Sequence, residues 1–449
     1  MENALPPTVV AGSTPVPLTK KHRILFLDSV RGIALLGILL MNIAAQGDIF
    51  IFYDKLDLGQ AITGPNLWVW IIEMGFFEGT MRGLFSILFG AGSYLLIKRL
   101  EKQHSGLEAA DIYYRRLLWL LAFGLINAFL FLWPGDILYP YALLGLVLFP
   151  FRNLSPKVLL WIAVLLIAFG TYRENRMLFN AKEKIVKGRV AEGLEKSKKK
   201  LTEEQKGDLG KYKDFKEKHT SAGYMKEAKK ETAKVQGKNY AEIFKEYRDV
   251  NMEIQSIYFY NSWWDILLFF FIGMALFKSG FLEGRMNNGL YLAVTIVGIA
   301  AGLWFNYWLM SKQYANKFDG VVLTEEVPFA IYQTRRVLQT LGYLGLFILL
   351  YKVNIFRRMM DIFAPVGQMA FTNYLMQSII TSIVFFGFNL FGRLERYELY
   401  YVVGAIWIFQ IIFSHIWLRY FYFGPFEWVW RALTYLKKPG FVKRKTEAI

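Results

Sequence analysis

Long apolar runs, separated by short polar connections, occupy most of the chain. We identify ten of them, at approximately residues 25–46, 66–97, 117–133, 137–151, 157–172, 262–281, 289–310, 333–353, 364–391 and 399–421. A helix of about 20 mainly apolar residues spans the hydrocarbon core of a bilayer, whereas the helices of soluble proteins show apolar stripes instead. The pattern predicts an all-α, polytopic membrane bundle of about ten transmembrane helices.

One stretch, residues 173–256, departs from this pattern because it is dense in lysine and glutamate. It predicts solvent-exposed helices, which form either a plain solvated insert or a docking surface. The chain then divides into a tail at 1–22, a membrane half of five spans at 23–172, the charged loop at 173–256, a second membrane half of five spans plus an interfacial helix at 257–436, and a basic tail at 437–449.

Basic side chains are concentrated in alternate connections between the predicted spans. Examples are Lys98 and Arg99 after the second span, Arg152 after the fourth and Lys278 at the sixth-to-seventh turn. With ten spans, all of these connections fall on the same side as the N-terminus, and short cytoplasmic loops are the ones enriched in lysine and arginine. We therefore expect both termini in the cytoplasm and the charged loop outside.

The composition agrees with a membrane protein and narrows its chemistry. Apolar residues make up 55% of the chain and charged residues 20%, against about 25% charged in ordinary soluble domains. Basic loops that face anionic lipid explain the net charge of +17, so we expect membrane lipid as a partner and no nucleic acid. With no cysteine and only four dispersed histidines, we expect no disulfide, no thiol catalysis and no metal.

Three polar side chains share one face of the first predicted span. With Asp28 at 0°, a helix places Arg31 at about 300° and Asn42 at about 320° around its axis. Asn42 lies roughly 21 Å from Asp28 along that axis. Asp28 and Arg31 are close enough to pair. Charged groups in a span usually face a bundle interior or a wet cavity. The pair is either a structural ion pair at the cytoplasmic edge, or Arg31 offers its charge to an anionic ligand there.

The second and eighth predicted spans carry further charges. Arg82 lies near the middle of the second span with Ser86 one turn later, and at that depth it must find either a partner or a ligand. Arg335 and Arg336 open the eighth span, where long side chains can reach the membrane surface, so we expect both to snorkel outward.

A turn and a following acid lie between the third and fourth predicted spans. Trp133 and Asp136 flank a Pro-Gly pair, which is typical of turns. Asp136 either caps the fourth span or acts as a general base, with Asn127 and Asn42 nearby at the same membrane level.

The last two predicted spans add polar groups to the membrane interior. Asn373, Gln377 and Thr381 follow each other at intervals of four residues and either bond to neighbouring helices or line a tunnel. His415 is the only histidine in a predicted span, where it is either a packing residue or a base. Aromatic and charged residues around Arg431 predict an interfacial helix.

Several ordered motifs resemble the YeiB-like family of bacterial multi-pass membrane proteins. They include RILFLDSVRGIALLGILLMNI, FSILFGAG, APVGQMAFTNYLMQS and GPFEWVWRALTY. The first span of that family is similar to those of the type-3 acyltransferases and the heparan-glucosaminide acetyltransferases. The resemblance implies a bacterial cytoplasmic (inner) membrane protein that moves an acyl group from cytoplasmic acyl-CoA to an extracytoplasmic or lipid-linked acceptor. By the same analogy we expect a homodimer.

The chain departs from these families at two positions. Asp28, Arg31 and Gly32 match the shared LDxxRGxA motif. Asn42, however, stands where the type-3 enzymes have their proposed catalytic histidine, and Asn127 stands where a histidine is common in the YeiB-like pattern. Within the resemblance, the base is then Asp136 or His415, or the chain performs no acyl chemistry.

The sequence-based hypothesis is an acyltransferase that uses acetyl-CoA or another acyl-CoA. We expect the reaction to involve Asp136, Asn127, Asn42 and His415. Guanidinium groups suit phosphates, so we expect CoA to be bound by Arg31, Arg115, Arg116 and Arg431. The candidate substrate contacts are Arg82, Ser86, Asn373 and Gln377. The alternative is a transporter, exporter or lipid-binding protein without covalent chemistry, with Arg82 and the Asn373–Gln377–Thr381 stripe along its pathway.

Overall fold

The computed structural model describes residues 25–104 and 106–443, and the regular elements in these ranges are helices. In the first part of the chain they are α1 (Leu25–Gly47), α2 (Gly64–Ile72), α3 (Thr80–Gln103), α4 (Glu108–Leu125), α5 (Leu138–Leu148), α6 (Pro156–Lys196), α7 (Glu203–His219), α8 (Ser221–Val235) and α9 (Tyr240–Glu253). The rest are α10 (Trp264–Lys278), α11 (Asn288–Ala315), α12 (Gly320–Glu326), α13 (Tyr332–Tyr351), α14 (Asn354–Asp361), α15 (Ala364–Gln368), α16 (Ala370–Ser382), α17 (Arg396–Tyr420) and α18 (Pro425–Tyr435).

Helix α1 is the central element of the bundle and packs against α3, α15 and α17. It is apolar on nearly all sides, as expected of a helix that has no solvent-facing stripe. At Gly32, an added Cβ would lie 2.1 Å from the carbonyl oxygen of Phe363, and at Gly367 it would lie 1.9 Å from that of Asp28. Only glycine permits this approach, so Gly32 of the LDxxRGxA motif allows α1 to pack directly against α15.

The all-α membrane architecture is confirmed. Within the described residues, six helical segments are long and apolar enough to cross a bilayer: Leu25–Gly47, Gly64–Gln103, Pro156–Lys196, Asn288–Ala315, Ala370–Gly387 and Arg396–Tyr420. A seventh is α13 if it is counted with α14, from which it is bent by 113°. Seven of the ten predicted spans therefore correspond to helices of this kind.

Of the other three predicted spans, α5 and α10 are short helices inside the bundle, whereas α4 packs one face on it and leaves Leu118 and Trp119 exposed. Helix α5 has 11 residues, α10 has 15, and α4 has 18 and continues into a π-helical turn at Ile126–Leu130. The first twelve residues of α10 are all buried. Enclosure by protein thus accounts for the apolar composition of α5 and α10. Length and composition alone support six or seven spans, and the count of ten stays a prediction.

The charged segment 173–256 forms a helical insert that packs on one end of the bundle. Helix α6 continues across residue 172 without a break for 41 residues, so a span and the first part of the insert are one helix. The Tyr224 hydroxyl donates a hydrogen bond to the carbonyl of Leu56 at 3.2 Å, and the Gln236 amide donates to that of Phe391 at 3.3 Å. We call this end of the bundle the insert end.

Basic side chains from separate connections meet at the opposite end, which we call the basic end. Glu101 accepts from Lys98 at 2.9 Å and from Arg152 at 2.5 Å, and Lys278 donates to the carbonyl of Arg152 at 2.9 Å. These three connections therefore lie on one side, as the charge pattern requires. The predicted tail at 1–22 and the final residues of the tail at 437–449 lie outside the described residues.

Candidate functional site

A buried polar centre lies at the insert end, where the chain turns from α4 into α5. Asn127 belongs to the π-helical turn that ends α4, a local widening that often marks a functional position. Its amide donates a 2.7 Å hydrogen bond to Asp136 Oδ1. The Tyr139 N–H donates to Asp136 Oδ2 at 2.8 Å, and the Tyr374 hydroxyl donates to Oδ1 at 3.4 Å. Asp136 therefore caps the start of α5 and also holds a polar cluster together.

Asp136 differs from the other buried carboxylates. In the described part of the chain four acidic side chains are buried, namely Asp28, Glu73, Asp136 and Asp265. Three of them pair with an arginine: Asp28 with Arg31, Glu73 with Arg396 and Asp265 with Arg336. Asp136 has only amide, backbone and phenol partners among the described residues. A buried acid without a cation is costly and is therefore a functional candidate.

The protonation of Asp136 is finely balanced. The residue lies in the connection between the third and fourth predicted spans. Burial raises the pKa of its carboxyl to about 7, and hydrogen bonds from the Tyr139 N–H and the Asn127 amide oppose that rise. A carboxyl with this pKa can accept and release a proton near neutral pH.

A small recess lies near this centre, and its cavity volume of about 10 Å³ is enough for one water molecule. Gln46, Trp133 and Thr381 line it, together with Tyr247 of the insert. Gln46 Oε1 and Asn127 Oδ1 are buried and have no hydrogen-bond partner in the described ranges. Buried acceptors in this state normally bind water or a ligand. Gln46 is the one of these two residues that lines the recess, so the recess offers one unsatisfied acceptor oxygen to a molecule the size of water.

Asn42 lies one helical turn before Gln46 on α1, so it faces the same side of the bundle. Its side chain is half-buried, and no hydrogen bond joins it to another described residue. His415, by contrast, lies five residues before the basic end of α17, and its Nδ1 is 2.9 Å from the Ile411 carbonyl of its own helix. Asn42, Asn127 and Asp136 thus share the insert end, and His415 is separated from them.

The insert covers the polar centre through α9 and the turn that follows it. The Asn251 amide donates to the carbonyl of Ala128 at 2.5 Å, and the Tyr240 hydroxyl donates to that of Leu130 at 2.6 Å. Tyr247 forms part of the wall of the recess. A molecule from the insert side must therefore pass α9 to reach Asp136.

A second cluster lies at the basic end, where α18 packs on α4. The Arg116 guanidinium stacks 3.6 Å from the ring centre of Trp430, and that of Arg431 lies 4.3 Å from the ring centre of Phe423. Burial, and after it the charge of Arg431, lower the pKa of Arg116 to about 10, and this residue precedes the third predicted span. Glu427 opposes part of this shift, and the excess of cations over acids in the cluster favours an anion as a ligand.

The two other predicted CoA-binding arginines are engaged elsewhere. Arg115 forms a 2.5 Å ion pair with Asp111 on its own helix. Its charge is therefore balanced there, and it does not join the cluster of Arg116 and Arg431. Arg31 forms the predicted ion pair with Asp28 at 2.8 Å and remains about one quarter exposed. The structure thus joins Arg116 and Arg431 and leaves Arg31 as a partly exposed cation of the basic end.

The charged groups of α3 and α13 form a network that the sequence does not indicate. Arg82 donates to Asp265 at 3.0 Å, and Arg336 donates to the same carboxylate at 3.1 Å. Arg335 pairs with Glu78. The prediction that Arg335 and Arg336 snorkel outward is wrong, because both side chains are buried and α10 supplies Arg336 with its partner within the bundle. The only signal for Asp265 is a single acid at the head of an apolar run.

The remaining candidate substrate contacts have partners within the protein. The Ser86 hydroxyl lies 2.6 Å from that of Tyr141. The Asn373 amide donates to Ser414 at 2.9 Å, and the Gln377 amide donates to Gln410 at 3.0 Å. The stripe on α16 therefore bonds to α17, which is one of the two alternatives that the spacing left open. Tyr374, which reaches Asp136 from the same helix, carries no such pattern in the sequence.

Known proteins resemble this chain along nearly its whole length. Residues 276–437 match the family described as "Protein of unknown function (DUF418)". The chain is 31% identical over 448 residues to "Uncharacterized protein YxaH" of Bacillus subtilis (strain 168), which covers 95% of this chain and 98% of that protein. It is 29% identical over 416 residues to "Uncharacterized protein YeiB" of Escherichia coli (strain K12), covering 91% and 95% of the two chains. No solved structure matches.

Proposed function

The chain belongs to the YeiB-like family of membrane proteins, described as DUF418, and we propose that it is a membrane acyltransferase. In this proposal it lies in the bacterial cytoplasmic membrane with its basic end inside. Acyl-CoA binds at the basic end through Arg116 and Arg431, and a hydroxyl or amine acceptor meets the acyl group beside Asp136 at the insert end.

The buried, cation-free Asp136 is the observation that supports this proposal. Its carboxyl would take the proton of the acceptor while the acceptor oxygen or nitrogen attacks the thioester carbonyl. The carbon–sulfur bond then breaks, the new ester or amide bond forms, and the CoA sulfur leaves as a thiolate that takes up a proton. Asn127 would hold the carboxyl in position, and the unbonded Asn42 amide is suited to donate to the developing oxyanion.

The spacing of arginine and asparagine on two helices supports a route between the two ends. Eleven residues separate Arg31 from Asn42 on α1, and eleven separate Arg116 from Asn127 on α4. A helix covers about 17 Å over that distance and brings the second residue back within about 20° of the first. Each helix thus carries a cation near the basic end and an amide on the same side near the polar centre.

We expect Arg116→Ala to weaken acetyl-CoA binding about 10- to 100-fold, because charge-assisted hydrogen bonds to phosphate are lost. Titration calorimetry of the protein in nanodiscs measures this directly. Arg99→Ala is the matched control, since Arg99 is an exposed arginine of the same end. Equal loss in both variants would indicate a general effect of surface charge and would contradict a site at Arg116.

We also expect a pH dependence of transfer that follows Asp136. The general base is active when ionised, so the rate should rise about tenfold per pH unit below pH 7 and level off above it. The initial rate of CoA release between pH 5.5 and 8.5 tests this. A rate that is flat or falls across that range would contradict Asp136 as the base.

The alternative of transport has less support from the geometry. The amide nitrogens of Asn373 and Gln377 and the guanidinium of Arg82 donate to partners within the bundle rather than to an open path. Only Asn373 Oδ1 of this group is a buried acceptor without a partner among the described residues. Uptake of a labelled solute into proteoliposomes, without CoA release from acetyl-CoA, would favour that alternative over the enzyme.

A further inference from the structure

An apolar groove with about 680 Å³ of empty space opens on the side of the bundle near the insert end. It lies between α6, α11, α12 and the segment that leads into α13. Most of its wall is apolar or aromatic, and it includes Phe305, Trp308, Leu309, Leu323, Val327 and Phe329. The Phe329 side chain is half exposed, which leaves an aromatic ring at the rim. Nothing in the proposed acyl transfer uses this groove.

One charged side chain, Arg335, lines the groove among the described residues. Its Nη1 donates to Asn306 and its Nη2 to Glu78. A guanidinium has five N–H donors, and these two bonds engage two of them. The groove therefore combines a long apolar wall with unused donors at its floor, which suits an amphiphile whose polar end carries acceptor oxygens.

The helices that frame the groove face lipid. Only 17% of the apolar window of α6 and 22% of that of α11 are buried within the protein. Arg335 lies in the first turn of α13, and α12 contacts the insert through an ion pair between Glu325 and Arg189. The groove is thus level with the lipid headgroups of the leaflet at the insert end, where phosphate and ester oxygens adjoin acyl chains.

We propose that this groove binds one phospholipid of the leaflet at the insert end. An acyl chain lies among the aromatic side chains, and phosphodiester or ester oxygens accept hydrogen bonds from Arg335. Arg335 is itself paired with Glu78, and Asp265 pairs with Arg336 and Arg82, so Arg335 offers the groove donors rather than an uncompensated charge. The groove recognises the phosphodiester through donors rather than net charge, so phosphatidylglycerol and phosphatidylethanolamine bind equally well.

Photolabelling tests the site. The protein in nanodiscs receives phosphatidylethanolamine with a diazirine in one acyl chain, and peptide mass spectrometry locates the labels. We expect labels to concentrate around Trp308 and Phe329. Unlabelled phosphatidylglycerol and phosphatidylethanolamine should both compete, and diacylglycerol of the same chain length should compete about tenfold less well. Labels spread evenly over the lipid-facing helices would overturn the proposal, as would equal competition by diacylglycerol.

Two variants separate the groove from the general lipid surface. Ala330 lines the groove, so Ala330→Trp should fill it and reduce groove labelling about tenfold. Trp304→Ala is the control, because Trp304 is 61% exposed on α11, the helix that carries Trp308, but lies outside the groove; it should leave the groove labels unchanged. Arg335→Lys keeps the charge and should remove the advantage of phospholipid over diacylglycerol. Unchanged groove labelling in Ala330→Trp would overturn the assignment. This result does not depend on whether Arg335→Lys folds.

Discussion

We expect Asp136→Asn to lower the rate of acyl transfer by about 10²- to 10⁴-fold, the usual contribution of a general base. Asparagine keeps the shape of the side chain and can still accept the hydrogen bond from the Tyr139 N–H. It cannot take a proton from the acceptor. Binding of acetyl-CoA at Arg116 and Arg431 should be unaffected, because those residues lie at the opposite end of the bundle.

The chain itself offers a clean assay for this prediction. It contains no cysteine, so a thiol reagent detects released CoA without any background from the protein. Acetyl-CoA is supplied to the protein in nanodiscs together with an envelope extract of the producing bacterium, which serves as the pool of acceptors. The initial rate of thiol release then compares Asp136→Asn with the unchanged protein.

Asp48→Asn is the matched control for the loss of an acid. Asp48 follows α1 at the insert end, and burial raises the pKa of its carboxyl to about 7, as it does for Asp136. Its Oδ1 accepts from the Ile49 N–H at 2.7 Å, a bond that asparagine retains. We expect this variant to keep both the rate and its rise with pH. Normal transfer by folded Asp136→Asn would contradict the proposed mechanism.

Local sequence information predicts the features that depend on helix periodicity alone. The apolar runs place α1, α11 and α17 within about five residues of their observed bounds, and they place the start of α6 but not its end. The spacing of Asp28 and Arg31 predicts the observed ion pair, and the Pro-Gly turn predicts that Asn127 and Asp136 lie close together. In each case the interacting residues are near neighbours in the chain, so one helix or one turn fixes the contact.

Features that depend on packing between distant elements are not predictable in this way. Asp136 and Tyr374 are 238 residues apart, and the sequence around neither residue indicates that the two are in contact. Helices α5 and α10 are apolar because other helices enclose them, and that composition is the same one that lipid demands. Arg335 and Arg336 illustrate the same limit, since a buried arginine and a snorkelling one have the same sequence, and only the location of Glu78 and Asp265 decides between them.

The network around Asp265 leads to the largest expected effect on stability. Asp265→Ala should reduce the free energy of unfolding by about 3–5 kcal/mol, because it leaves Arg336 buried without a counter-charge. The Arg336 side chain is only 1% exposed and donates two hydrogen bonds to this one carboxylate group. Arg82 loses the same partner within an apolar span, so its loss adds to that of Arg336. Reversible unfolding in mixed detergent and SDS micelles gives the free energies.

Two comparisons show whether the cost comes from the uncompensated charge. Arg189→Ala removes an exposed ion pair with Glu325 and should cost less than about 1 kcal/mol, as surface pairs generally do. Replacing Asp265 and Arg336 together by leucine removes the stranded cation, so the double variant should be more stable than Asp265→Ala. If the double variant instead lost as much stability as Asp265→Ala or more, the network would stabilise the bundle through its shape and hydrogen bonds rather than through charge balance. The measurement thus distinguishes a bundle held together by balanced buried charges from one in which those charges merely fill space between α3, α10 and α13.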